Sequence, residues 1–175
     1  QSINIYFYNT SITIINQTTL IKSVDYPSIS LDHYSQSNLL TNTQITTSGY
    51  QTVYIHDYSQ NTNITNTNIT SSDFHAIKIE TSSGNIYMDN NQIKCTYECV
   101  YATADGGQIN NSNLTMTSNS ENAVVYISAD NWTISNSNLT ATGTTRGMGI
   151  EVGQSAHNLT ITSTNIKTSS YEYCY

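Results

Sequence analysis

Apolar residues return along this chain in short alternating triplets, with no window of helical spacing. The pattern apolar-x-apolar appears as Ile29-Ser30-Leu31, Val53-Tyr54-Ile55, Ile77-Lys78-Ile79, Val100-Tyr101-Ala102, Val125-Tyr126-Ile127 and Ile150-Glu151-Val152, in steps of roughly two dozen residues. Ile3-Asn4-Ile5 fits as the first member and Tyr173-Cys174-Tyr175 as an eighth. Two further apolar sets lie between the triplets. One is centred on Ile12/Ile14, Leu39, Ile64, Ile86, Ile109, Ile134 and Leu159/Ile161; the other runs through Leu20, Ile45, Ile69, Ile93, Leu114, Leu139 and Ile166. Period-two alternation in segments this short, separated by Asn, Ser, Gly and Asp, predicts three short strands per repeat.

A strand of a few residues cannot bury its apolar face alone. Equivalent strands of successive coils can, by stacking about 4.8 Å apart over a shared interior column of Ile, Leu and Val. The predicted fold is therefore all-β: a single-stranded parallel β-solenoid of about seven coils, roughly 24 residues each, forming one domain over residues 1–175. Residues between the inward positions point outward, which puts Tyr54, Lys78, Tyr101, Tyr126 and Glu151 on one face. Asn68, Thr70, Asn113, Thr115, Asn138 and Thr140 line another.

Segments such as Gly149-Ile150-Glu151-Val152-Gly153 followed by Asn158-Leu159-Thr160-Ile161 resemble the parallel β-helix repeat of pectate-lyase-like proteins. The Asn/Thr-rich version is most similar to adhesin-like and surface-layer proteins of methanogenic archaea. That resemblance implies a right-handed helix, whereas periodicity alone permits either hand. It covers nearly the whole chain and speaks to fold far more than to activity.

Composition narrows the function. Only 10% of residues are charged, the net charge is -7 and Lys plus Arg total 5, too few basic groups to neutralise a nucleic-acid backbone. No apolar stretch approaches the roughly 20 residues that a membrane-spanning helix needs. Gln1 opens directly into strand-like sequence without a basic leader, so the chain reads as mature or excised. A weakly charged Asn/Thr/Ser surface suits an extracellular or cell-surface location, and the expected partners are further copies of the chain and surface glycans.

Enzymes on the resembled fold use clustered carboxylates, commonly with a basic residue or calcium. Aligning coils sets His56 one rung from Glu80 with Asp57 beside it, the one acid–base pairing that the register offers. The plainer reading of these residues is a solvated pair on a polar face, and the chain as a whole reads as non-enzymatic. Arg146 has no carboxylate cluster in its register. Asp105-Gly106-Gly107 is a single fragment of the Gly/Asp-rich type and reads as a turn. His33, His56, His75 and His157 are scattered without ligand spacing, so neither a metal nor a cofactor is expected. Outward Thr on a flat sheet raises an ice-binding surface as a rival, but Gln92/Lys94 and Asn165/Lys167 interrupt the row.

The tripeptide Asn-x-Ser/Thr occurs at Asn9, Asn16, Asn63, Asn68, Asn110, Asn113, Asn131, Asn138 and Asn158, marking candidate glycosylation sites. Some corner asparagines can instead stack as internal hydrogen-bonded ladders. Cys95 and Cys99 flank a short corner and can close a local disulfide. Cys174 lies three coils further on, roughly 15 Å along the axis at the strand spacing, and is expected to be free or bonded to another chain. The leading expectation is a glycosylated structural or adhesive subunit of an extracellular filament, sheath or surface layer that polymerises through its ends. The alternative is a carbohydrate-binding or polysaccharide-cleaving β-helix.

Overall fold

A computed structural model describes residues 5–23, 26–118, 121–143 and 147–169. Every regular element in them is a strand, and the strands form three parallel sheets of seven. The first sheet runs from Ile5–Tyr8 to Gly147–Val152, the second from Thr13–Asn16 to Thr160–Thr162, the third from Thr19–Ser23 to Asn165–Ser169. Each strand pairs with its equivalents one coil before and after, which is the predicted β-solenoid.

The triplets set the first sheet as expected: Ile29, Val53, Ile77, Val100, Val125 and Ile150 are in register. The third set is likewise continuous from Leu20 to Ile166. Two readings need correction. Ile5-Tyr6-Phe7 aligns with Ile29-Ser30-Leu31, so the first triplet begins two residues later than Ile3. In the second sheet the inward column is Ile15, Leu40, Ile64, Met88, Ile109 and Ile134; Ile12 and Ile14 are 72% and 65% exposed. Where apolar residues are adjacent, as in Ile14-Ile15 and Leu39-Leu40, alternation cannot say which one faces in, and stacking on the next coil decides. The proposed eighth triplet at Tyr173 lies outside the described residues.

The corner between second and third strands is built by a repeated dipeptide. Asn42, Asn66, Asn90, Asn111 and Asn136 have φ of 49°, 51°, 53°, 46° and 49°, a left-handed conformation that asparagine tolerates well. The next residue turns inward and ties the corner: Thr43, Thr67, Ser112 and Ser137 donate to the carbonyls two residues back at 2.8, 2.9, 2.7 and 2.8 Å. The asparagine ladder forms on the outside, with Asn90 donating to Asn66 at 2.7 Å and Asn42 to Asn16 at 3.1 Å. Asn91 is the exception: buried, it donates to the Ile64 carbonyl at 2.8 Å and accepts the Thr67 N–H at 3.0 Å.

The largest of the fully buried side chains is aromatic. Trp132 is fully buried, and its indole N–H donates to the Ala104 carbonyl at 2.8 Å. Its ring occupies the space a side chain at residue 107 would fill, which is why that position is glycine. Cys95 and Cys99 are joined by a disulfide with Cα atoms 5.2 Å apart. Cys174 lies outside the described residues. None of the described residues forms a helix long and apolar enough to cross a membrane.

Candidate functional site

The outer face of the first sheet carries four rows of side chains along the solenoid axis. The triplet centres form one: Tyr6, Ser30, Tyr54, Lys78, Tyr101, Tyr126 and Glu151 are in register. Two residues further along each coil stands a second row, in which Asp32, His56, Glu80 and Thr103 follow one another. The ladder continues through them, with His56 N donating to Leu31 O and Glu80 N to Ile55 O at 3.0 and 2.9 Å. His56 and Glu80 thus do sit one rung apart, and Asp32 lies one rung from His56 on the other side.

His56 is shared between neighbours. Its Nε2 is 3.0 Å from Ser30 Oγ, and its Nδ1 is 3.5 Å from Asp32 Oδ1 and 3.6 Å from Asp57 Oδ2. Its ring stacks on Tyr54 with centroids 4.1 Å apart. Glu80 is held from the other side by Lys78 Nζ at 2.7 Å, and the same ammonium lies 5.1 Å over the Tyr54 ring. Burial pushes the Glu80 carboxyl up, but hydrogen bonds from Lys78 and Tyr54 outweigh it and hold the group below its ordinary range. Burial, and then the Glu80 carboxylate, push the Tyr54 phenol well up. The pair therefore consists of an ionised carboxylate and a phenol that keeps its proton.

Asp32 is buried yet also held low: hydrogen bonds from Tyr6 and His33 overcome its desolvation. That hydrogen bond to Asp32, with burial behind it, raises Tyr6 to about 12. Asp32, His56 and Asp57 each present a ligand atom within 4.8 Å of the others, a spacing that can hold a cation. The sequence separation of Asp32 from His56 and Asp57 concealed this, because coil stacking brings together residues about 24 apart.

The remaining two rows lie at the corner leading into the first sheet, and the sequence reading missed them. Three residues before the triplet stand Tyr26, Tyr50, Phe74 and Tyr97; the next residue is Pro27, Gln51, His75 or Glu98. Tyr50, Phe74 and Tyr97 form a column with centroids 5.5 and 5.7 Å apart and planes within 10°. Beneath it Gln51, His75 and Glu98 are 2%, 6% and 7% exposed. His75 Nδ1 lies 2.8 Å from Glu98 Oε2, but without hydrogen-bond alignment, and Gln51 Oε1 has no partner. The Cys95–Cys99 bridge closes the loop that carries Tyr97 and Glu98. The signal was legible: an aromatic-polar dipeptide recurs at 50, 74 and 97, in step with the triplets.

Two adjoining hollows run over these rows. One, of about 560 Å³, is bounded by the aromatic column, Gln51, His75, Glu98, Lys78, Glu80 and Tyr101. The other, of about 470 Å³, is bounded by Tyr6, Tyr26, Asp32, Tyr54 and His56, and Tyr50 borders both.

Among the glycosylation-type asparagines, Asn9, Asn16, Asn63, Asn68, Asn113, Asn131, Asn138 and Asn158 are exposed. Asn110 is half-buried, accepts a hydrogen bond from Ser135, and is followed by a Ser112 whose hydroxyl is turned into the corner. Arg146 lies outside the described residues.

No protein-family model matches the chain, and no curated protein matches it in sequence. Among solved structures it is similar to the A-module of mannuronan C-5 epimerase AlgE6 from Azotobacter vinelandii, with a TM-score of 0.55 and 12% identity. The match covers 95% of this chain and 58% of that one. At this identity the likeness concerns the fold, a parallel β-solenoid, and the similarity to archaeal adhesins gains nothing from it. It does overturn one expectation: the sequence read as non-enzymatic, yet a solved structure of similar fold is an enzyme. The reason lies in what was weighed, since His56 and Glu80 alone look like a solvated pair, whereas the folded chain packs them with Tyr54, Lys78 and Asp32 beside a groove.

Proposed function

We propose that the chain binds a polysaccharide along the outer face of the first sheet and performs acid–base chemistry on it. The observation that carries this reading is the groove, in which two hollows meet at Tyr50 with an aromatic column on one side and, on the other, Tyr54 flanked by the stacked His56 ring and by the Lys78–Glu80 pair. A channel that crosses successive coils suits a linear glycan, whose C–H surfaces pack on aromatic rings while its hydroxyls meet amides and carboxylates.

Glu80, kept ionised by Lys78, can accept a proton, and Tyr54, kept as the phenol, can donate one; the His56 ring, stacked on Tyr54, holds that phenol in place. The carboxylate borders one hollow and the phenol the other, with a hydrogen bond between them, and such a base and proton donor serve proton abstraction from a sugar carbon or protonation of a glycosidic oxygen. The likeness to a mannuronan epimerase supplies a carbohydrate-active precedent on this fold. The disulfide and the exposed Asn-x-Ser/Thr sites support placement outside the cell. We put this reading ahead of a filament or surface-layer subunit because the groove speaks to a ligand, whereas end-to-end assembly rests on sequence alone.

The test is product analysis by NMR after incubation with a panel of polysaccharides. Turnover in the wild type that disappears in Glu80→Gln and His56→Ala, with binding retained, is the expected result. Failure to bind any polysaccharide, or full turnover in both variants, would overturn the proposal.

A further inference from the structure

Four features of the two hollows bear on which glycan the groove can take. First, its buried polar atoms ask for donors. Gln51 Oε1 and Glu98 Oε2 are acceptors with no aligned protein donor, and both residues line the hollow. A buried acceptor without a partner is uncommon in folded proteins and marks a place where water or ligand completes the bonding. A sugar hydroxyl or an ammonium group can donate to both atoms. A uronate offers hydroxyl donors too, and only its carboxylate is an acceptor alone, so discrimination against polyuronates rests on charge.

Second, the surrounding charge is acidic. Asp32, Asp57, Glu80 and Glu98 border or flank the two hollows, and Asp73 sits just before Phe74 at the corner. Among the described residues of this face the only Lys or Arg is Lys78, and Glu80 engages it at 2.7 Å. A polymer with one carboxylate per sugar would bring like charge against like charge along its length, with low-dielectric walls focusing the repulsion.

Third, the histidines do not reverse this balance. His33, His56 and His75 each lie against a carboxylate, at 2.7, 3.5 and 2.8 Å from Asp32, Asp32 and Glu98. Fourth, the aromatic column gives an uncharged wall to the hollow, its rings stacked on one another from coil to coil.

We propose that the groove selects a non-acidic glycan, one offering hydroxyl or ammonium donors, and discriminates against polyuronates such as the mannuronan of the epimerase that shares its fold. This rests on the polysaccharide reading above and specifies its substrate class. Gln51 and Glu98 are the specificity residues: they lie deep in the groove, apart from the Tyr54–Glu80 pair, and act by matching donors on the sugar.

The experiment is calorimetric titration of the full chain with hexasaccharides of glucose, of glucosamine and of mannuronate, at low and at high salt. The glucose or glucosamine hexamer is expected to bind at least about tenfold more tightly than the mannuronate hexamer. The gap should narrow as salt screens the repulsion. Salt will also separate the two donor classes, weakening the glucosamine hexamer and leaving the glucose hexamer unchanged. Gln51→Met, which keeps the side-chain length and removes the acceptor, is expected to lower affinity for the preferred hexamer about fivefold or more, with its unfolding midpoint showing that it folds. Mannuronate binding as tight as the others would overturn this inference and leave the polysaccharide reading standing, and so would unchanged affinity in a folded Gln51→Met. Absence of binding by all three hexamers and by the polysaccharide panel removes both.

Discussion

Tyr97 stacks on Phe74 one coil away, with centroids 5.7 Å apart and planes 10° from parallel, and the loop that presents it is closed on both sides by the Cys95–Cys99 disulfide. The bridge thus fixes the end of the aromatic column as well as a corner of the solenoid. Replacing both cysteines by serine should lower unfolding free energy by about 2 kcal/mol, the loop-closure value for so short a loop. It should also weaken glycan binding, because Tyr97 and Glu98 lose their fixed position. Denaturant titration and calorimetry check the two effects separately; a loss of stability with unaltered binding would mean that the bridge is structural only.

The interior makes a sharper demand at Gly107. A methyl group there overlaps the Trp132 ring, so Gly107→Ala should cost about 1–3 kcal/mol through overpacking. The double variant Gly107→Ala/Trp132→Leu should lose less than the sum of the single variants Gly107→Ala and Trp132→Leu, since the clash has gone. Thermal unfolding of the three variants is the measurement, and additive losses would contradict the packing described.

Inward and outward positions should differ as strongly as their burial does. Ile77 is fully buried in the first sheet, whereas Thr140 points outward on the third. Ile77→Asp should cost several kcal/mol by burying an unpaired carboxylate, and Thr140→Asp about 0.5 kcal/mol or less. Circular dichroism with urea titration compares them.

The carboxylates of the groove predict how stability follows pH. Glu80 and Asp32 are held below their ordinary values in the folded chain, so each contributes stability that is present above the unfolded carboxylate pKa and lost as pH falls through the folded one. Lys78→Met removes one cause of the Glu80 shift and should flatten the acid limb. On the alkaline side Tyr6 is raised to about 12, so its contribution is complete below the ordinary phenol value near 10 and lost as pH climbs toward 12. Tyr6→Phe should remove that limb. Urea midpoints across the pH range read both.

Much of this architecture was legible because one repeat governs nearly every strand. The triplets from Ile29 to Ile150 fix the first sheet and its outward row, including Tyr54 and Lys78, since alternation has a period of two and successive coils must agree. The second sheet was misread at Ile14 and Leu39 because each has an apolar neighbour at position 15 or 40, and only cross-coil stacking breaks the tie. The site was half legible. His56 and Glu80 share a register position and could be aligned. The bond of His56 to Ser30, the approach of Asp32 and the hydrogen-bonded state of Tyr54 depend on side-chain direction, which no spacing encodes. The aromatic column was visible as a repeated dipeptide but sits outside the strands, where a search for alternating apolar residues does not look.

The central claim, that this face holds a polysaccharide, is tested most directly by hydrogen-exchange mapping of the chain with and without a bound glycan. Protection is predicted in the first-sheet strands and the corners leading into them that carry Tyr50, Tyr54, Phe74, His75, Tyr97 and Tyr101, with none on the outer third sheet at Thr70, Thr115 and Thr140. A Tyr50→Ala/Tyr97→Ala double variant should lose that protection while keeping its unfolding free energy within about 1 kcal/mol of the wild type. Protection centred on the third sheet, or binding that survives loss of both tyrosines, would contradict the account.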